Sequence, residues 1–291
     1  MGQEFYNEFP SAREVFDEAN DALGFDLKRL CFEGPEEELR LTVNTQPALL
    51  AHSYAGFRVL TEHGISPQMA LGHSLGEYTA LLAAGALDFP VALDLVRKRS
   101  AYMQEAVPAG QGAMAAILGL NREEVDRLCR EDGGEVVAAN YNASTQVVIS
   151  GLREPVERVA EASKRAGARR AIFLPVSAPF HCPLLQEAED RLAKELDAVQ
   201  FHNLRFPVID NASASLNHSG EEAKTALKRQ VTSPVRWEEG VQMAARAGVD
   251  TFIEIGPGRV LSGLAPRIVE GVKAFHVEDP ASLERTLEAL A

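Results

Sequence analysis

Gly72-His73-Ser74-Leu75-Gly76 carries more chemistry than any other stretch of this 291-residue sequence. G-x-S-x-G is the spacing of a nucleophile elbow, a sharp strand-to-helix turn that lifts a serine hydroxyl clear of the backbone. The same turn leaves the N–H of the next residue, Leu75, at the start of a helix, where developing oxyanion charge is stabilised. The chemistry on offer is covalent acyl transfer through Ser74. A side chain at Gly72 or Gly76 is expected to crowd the neighbouring backbone. On the motif alone, a glycine-rich turn that merely starts a helix stands beside the catalytic reading.

A serine at its ordinary pKa is a weak nucleophile and needs a base. The chain has seven histidines. His73 lies inside the elbow and suits a pocket-lining role better than that of general base. His181 lies in Pro175-Val176-Ser177-Ala178-Pro179-Phe180-His181-Cys182-Pro183, a loop between a strand and a helix. Loops at strand ends are where α/β proteins keep their chemistry, so His181 is the candidate base, with an ordinary loop histidine as the other reading. No carboxylate takes the place expected of a third partner. Asp88, Asp94, Asp126 and Asp132 lie between the two residues away from any convincing strand end, and Asp210 comes after the histidine. A Ser–His dyad whose ring is fixed by a backbone carbonyl is therefore open.

These residues need a scaffold. Pro67–Leu71 is predicted as the strand entering the elbow and Glu77–Ala86 as the helix leaving it. Helices are predicted over Phe9–Ala22, from Thr45-Gln46-Pro47 to about Glu62, and over Phe89–Ala106. Beyond the Pro108-Ala109-Gly110-Gln111-Gly112 linker the texture changes. Strand 113–118, helix 122–130, strands 136–141 and 145–150, helix 153–167 and strand 170–176 follow the β-α-β-β-α-β order of a ferredoxin-like unit. Strands 206–209, 251–255 and 272–277 then alternate with helices. We expect an α/β fold: a large hydrolase-like domain with a mostly parallel sheet, formed by 1–109 and 177–291, with a ferredoxin-like small domain inserted at 110–176.

Composition narrows the classes of function. The net charge of −13 argues against nucleic acid as a partner. No run is long and apolar enough for a membrane span. Cys31, Cys129 and Cys182 have neither metal-ligand nor disulfide spacing, so no metal is expected. With a polar, acidic N-terminus, the chain reads as cytoplasmic, and nothing in it demands an oligomer, so a monomer is expected.

The elbow Gly72-His73-Ser74-Leu75-Gly76-Glu77-Tyr78, with Arg97-Lys98-Arg99-Ser100-Ala101-Tyr102-Met103-Gln104, resembles the malonyl-CoA:acyl carrier protein transacylases, acyltransferases of fatty-acid and polyketide synthesis. So do Asn140-Tyr141-Asn142 before Gln146-Val147-Val148-Ile149-Ser150-Gly151, Pro179-Phe180-His181-Cys182, Gln230 with Ser233-Pro234-Val235-Arg236-Trp237, and Glu254-Ile255-Gly256-Pro257-Gly258. The resemblance spans nearly the whole chain. It implies Ser74 as the acylated nucleophile and His181 as its base, with the ring held by the main-chain carbonyl of Gln230. It also implies the Leu75 N–H as an oxyanion donor and Arg99 as the grip on the malonyl carboxylate. Asn142, and with it Asn140 and His73, would face the substrate. Read without the resemblance, Arg99 is a solvated helix face and the asparagines are hairpin-turn residues. The implied partners are malonyl-CoA and an acyl carrier protein bearing phosphopantetheine, with no bound cofactor.

One departure stands out. The family begins with a short strand and a Gly-Gln-Gly-Ser-Gln segment whose glutamine lines the oxyanion hole, and this sequence starts after it at Met1-Gly2-Gln3. Loss of one oxyanion donor costs on the order of 10²–10³ in turnover. Two other functions therefore remain in view, a serine esterase or thioesterase using the same elbow, and a non-catalytic scaffold. Arg99 speaks against the first, since an ordinary esterase has no carboxylate to hold. The unbroken set of Ser74, His181 and Arg99 speaks against the second.

Overall fold

The computed structural model describes residues 1–108, 110–176 and 178–291. Ala109 and Ser177, at the two expected edges of the insert, lie outside the described residues. Among the described residues nine strands form three sheets: β1 (Ala70–Leu71), β6 (Val208–Ile209) and β7 (Leu216–Asn217); β2 (Gly112–Leu118), β3 (Val136–Ala143), β4 (Gln146–Leu152) and β5 (Arg170–Phe173); β8 (Thr251–Ile255) and β9 (Lys273–Val277).

In the larger part of the chain β1 pairs parallel with β6, and β8 parallel with β9, while β7 returns antiparallel to β6. Two of these three pairings are parallel, in line with the mostly parallel sheet expected, and β7 adds one antiparallel strand. The strand into the elbow is two residues long rather than five, because its partner β6 is clipped at both ends. Pro207 precedes β6, and Asp210 follows it, its carboxylate accepting from the N–H groups of Ser213 and Ser215 and turning the chain back into β7. Helices cover these strands. Thr42–Glu62, Gly76–Ala83 and Phe89–Glu105 share an apolar core in which Leu50, Leu81, Leu93 and Leu95 are almost wholly buried. The first of these begins at Thr42, ahead of the expected cap at Thr45, so Pro47 falls in its second turn and Gln46 turns inward.

The other sheet is antiparallel throughout, in the order β3-β4-β2-β5, the ferredoxin-like arrangement. Period-two alternation along β2 gives it two jobs. Ala113, Ala115 and Ile117 pack with Val125 and Leu128 of helix Arg122–Glu131 and with Val156 and Val159 of helix Arg153–Arg165. Met114 and Ala116 face the other way, toward Leu174, Val176 and Phe180 in the loop that carries His181. Gly112 belongs to that second contact: a Cβ there would stand 2.2 Å from the Pro179 ring.

A seam joins the two parts. The register of β3 shifts between Ala138 and Asn140, and Asn140 forms a lone parallel bridge to Val235. The Tyr141 N–H donates to the Val235 carbonyl at 2.9 Å, and the Val235 N–H to the Ala139 carbonyl at 2.8 Å. Nearby, the Arg122 guanidinium lies 3.7 Å from the centre of the Tyr141 ring and pairs with Glu239. Among the described residues no helix is long and apolar enough to cross a membrane, and no cluster of three histidine, cysteine or acidic groups could hold a metal.

Candidate active site

The elbow is built by a steric constraint at one glycine, not two. A Cβ on Gly72 would lie 1.9 Å from the backbone of Gly76, so nothing but glycine fits there. The space around Gly76 is open, which corrects the expectation that both positions were crowded. The turn forces Ser74 into the left-handed region at φ 54°, where a non-glycine residue holds about 1–3 kcal/mol of strain. Asn211, next to β6, clamps it: its Oδ1 accepts from the Ser74 N–H at 2.6 Å and its Nδ2 donates to the Gly72 carbonyl at 2.7 Å. The Leu75 N–H lies ahead of the helix Gly76–Ala83 and has no acceptor among the described residues, as a donor awaiting an oxyanion requires.

His181, also in the left-handed region at φ 56°, reaches the serine with Nε2 2.7 Å from Ser74 Oγ. Its Nδ1 lies 3.0 Å from the Gln230 carbonyl and 3.1 Å from that of Ser233. Carbonyl oxygens only accept, so the Nδ1 of the neutral ring carries the hydrogen, and Nε2 offers its lone pair to the serine hydroxyl. Burial, and then the nearby charge of Arg99, hold the His181 pKa down to about 3. The resting ring is therefore neutral and able to accept a proton. Asp210 is elsewhere, its oxygens engaged by Ser213, Ser215 and Asn217.

Arg99 is 1 % exposed, which overturns the solvated-helix reading of that position. Its Nη1 donates to Gln46 Oε1 at 2.6 Å, and its Nη2 donates to Gln230 Oε1 at 2.9 Å and to Ser74 Oγ at 3.0 Å. Its Nε is buried without a partner. Every oxygen it touches is neutral, so a buried guanidinium sits beside the nucleophile with no carboxylate bonded to it. Burial lowers its pKa, yet an arginine stays charged in proteins. Such a group is matched to a planar anion.

Of the remaining sequence-predicted residues, His73 and Asn142 meet. His73 Nε2 lies 2.9 Å from Asn142 Oδ1, and the His73 ring is 5.6 Å from the Trp237 ring. Burial pushes the His73 pKa down, so it too is neutral. Asn140 is buried at the seam, and its side chain bonds to none of these groups among the described residues.

Three participants and one further role carry little local signal in the sequence. Gln46 reads there only as part of a helix start. Asn211 stands beside Asp210, the residue that a strand end singles out. Glu77 is a carboxylate in an otherwise apolar helix, which was the available signal, and it proves 2 % exposed. The Gln230 side chain adds to the role of its carbonyl, since its Nε2 donates to the Ser74 carbonyl at 2.9 Å and to Glu77 Oε2 at 2.8 Å.

Comparison with known proteins agrees with this geometry. Residues 1–279 match the acyl transferase domain. A malonyl CoA-acyl carrier protein transacylase of Bacillus subtilis is 47 % identical over 293 residues, covering 100 % of this chain and 92 % of that protein. One from Escherichia coli K12 is 46 % identical over 283 residues, covering 96 % of this chain and 92 % of that protein. Among solved structures, a malonyl-transacylase in complex with its type II PKS acyl-carrier protein superposes with a TM-score of 0.96 at 48 % identity, over 99 % of this chain and 94 % of that one. An acyl-carrier-protein S-malonyltransferase from Burkholderia pseudomallei gives 0.94 at 46 % identity, over 97 % and 93 %.

Proposed function

The chain belongs to the acyl transferase domain family, and from that premise we infer how it moves a malonyl group from malonyl-CoA to the phosphopantetheine thiol of acyl carrier protein. In the first half-reaction Ser74 Oγ attacks the thioester carbonyl while its proton passes to His181 Nε2. The Leu75 N–H receives the oxyanion of the tetrahedral intermediate. The intermediate collapses to malonyl-Ser74, and His181 returns the proton to the departing CoA thiolate. In the second half the carrier's thiol gives its proton to His181, its sulfur attacks malonyl-Ser74, and Ser74 leaves with the proton restored. The Gln230 and Ser233 carbonyls stabilise the imidazolium in each half without a carboxylate.

The observation that carries the substrate assignment is Arg99. Malonyl differs from acetyl by a second carboxylate, and the guanidinium fork can hold it with two parallel hydrogen bonds. A methyl in that place leaves a buried cation unpaired, at a cost of several kcal/mol. Asn142 and His73, bonded to each other, line the pocket on the side of β3. The reading extends to a monomer in the cytoplasm. Nucleophile, base and clamp come from one chain, and the three cysteines are free and buried, as suits a reducing compartment.

The test is intact mass after brief incubation with malonyl-CoA or acetyl-CoA, followed by peptide mapping. A malonyl adduct on Ser74 that carrier protein discharges, and that forms in preference to acetyl, is expected. An adduct on another residue, or one released only to water, overturns the assignment.

A further inference from the structure

A buried arginine usually finds a carboxylate. Here burial pushes the Glu77 carboxyl up to about 7, the nearby charge of Arg99 opposes this only weakly, and Gln230 stands between the two. Both ends of the Gln230 amide are engaged: Oε1 accepts from Arg99, and Nε2 donates to the Ser74 carbonyl and to Glu77 Oε2. Glu77 Oε2 also accepts from the Asn211 N–H at 3.0 Å. An amide has one oxygen end and one nitrogen end, so which end meets Arg99 depends on what the other end meets. Glu77 Oε2 already faces the Asn211 N–H, so it is the accepting oxygen whether or not the other one carries a proton. By taking the nitrogen end, Glu77 sets the oxygen end toward the guanidinium. Turned around, Gln230 would press an NH₂ against Arg99 and an oxygen against both Glu77 and the Ser74 carbonyl.

We propose that Glu77 is a positioning residue for substrate choice: through Gln230 it holds Arg99 on neutral oxygens, aimed beside Ser74 and left unpaired for the carboxylate of the incoming acyl group. The inference rests on the malonyl reading of the site. It also gives a reason for an amide at position 230. A glutamate there would pair with Arg99 directly and compete with the substrate's own carboxylate. The groups facing Glu77 are Gln230 from the helix Gly220–Gln230, the Asn211 N–H from the loop after β6, and, through space, Asp210 and Arg99.

The experiment compares wild type, Glu77→Leu, Glu77→Gln and Gln230→Glu for malonyl-CoA and acetyl-CoA, with KM and kcat measured separately. Wild type that forms malonyl-Ser74 secures the underlying reading before any variant is judged, and its failure there would count against that reading alone. Glu77→Leu should raise KM for malonyl-CoA at least tenfold, with a smaller change for acetyl-CoA, because His181 is held by main-chain carbonyls that the change does not touch. A merely structural role would weaken both substrates alike. Glu77→Gln can present its carbonyl oxygen to the same two donors and should restore most of the malonyl-to-acetyl ratio. Gln230→Glu should lower that ratio at least tenfold, and it keeps the test decisive if Glu77→Leu does not fold. A malonyl-to-acetyl ratio unchanged in folded Glu77→Leu, or in Gln230→Glu, overturns the proposal. So does a Glu77→Gln enzyme as unselective as Glu77→Leu.

Discussion

Asn211→Leu isolates the force that holds the nucleophile in its uncommon backbone conformation. The substitution leaves the two main-chain bonds of residue 211, to Glu77 and from Arg236, in place. It deletes the acceptor of the Ser74 N–H and the donor to the Gly72 carbonyl. Each group stranded without a partner costs about 1–3 kcal/mol, together about 4. Relaxation of Ser74 away from φ 54° returns about 1–3 kcal/mol. The net loss of stability should be about 2 kcal/mol, read from guanidinium melts. Catalysis should suffer more than stability. The same relaxation carries Oγ away from its 2.7 Å contact with His181, and a displacement of about 1 Å costs on the order of 10²-fold in rate. Single-turnover malonylation, quenched and read by intact mass, measures this. Asn211→Asp keeps an acceptor for Ser74 but sets an oxygen against the Gly72 carbonyl, so it should fall between leucine and wild type. An Asn211→Leu protein that loses stability yet malonylates at the wild-type rate would refute the reasoning, because the elbow would then keep its shape unaided.

Three further outcomes follow from the same structure. His181→Ala should slow both half-reactions far more than tenfold, while Asp210→Asn, remote from the ring, should do much less in carrier-dependent turnover. Arg99→Ala should lose malonyl transfer and lose less of acetyl transfer, and Arg99→Lys should not restore it fully, since an ammonium cannot make two parallel bonds; the ratio of kcat/KM values reports this. His52 is buried with both ring nitrogens unpartnered, and burial pulls its pKa down from 6.5 to about 4. The unfolded chain thus binds this proton more readily, so stability falls as pH drops from about 6.5 toward 4, by about 3 kcal/mol for this group. His181 titrates in the same direction, so the quantity to measure is the stability of wild type minus that of His52→Leu, which should fall as pH drops from about 6.5 toward 4 and stay level above 7.

The sequence disclosed the parts of the site that obey local rules. The spacing of Gly72, Ser74 and Gly76 implies a turn, and the texture of 113–173 implies a β-α-β-β-α-β order, because both depend on neighbours along the chain. What it withheld depends on neighbours in space. Gln46, Glu77, Asn211 and the Gln230 side chain come from separate helices and a loop, and no local period links them. Asp210 shows the difference well. Its place at a strand end looks suited to catalysis, but its carboxylate is consumed by the turn that ends β6. Arg99 shows the converse, since a run of three cationic residues reads as a wet surface until the helix is rotated into place and one of them points inward.

The seam at β3 has a consequence for traffic. Two parts joined by a single flexible link could open and shut like jaws, and substrate would be trapped by their closing. Here the bridge at Val235, the Arg122–Glu239 pair and the bond between His73 and Asn142 fasten the ferredoxin-like sheet to the elbow side at several points. Fastened at three places, they have no single hinge about which to swing. A long, thin arm such as a pantetheine needs no swing, since it can be threaded in and withdrawn with the surroundings of Ser74 left as they are. Two such arms come in turn, one from CoA and one from the carrier, and ties that hold the two sides together present both with the same surroundings.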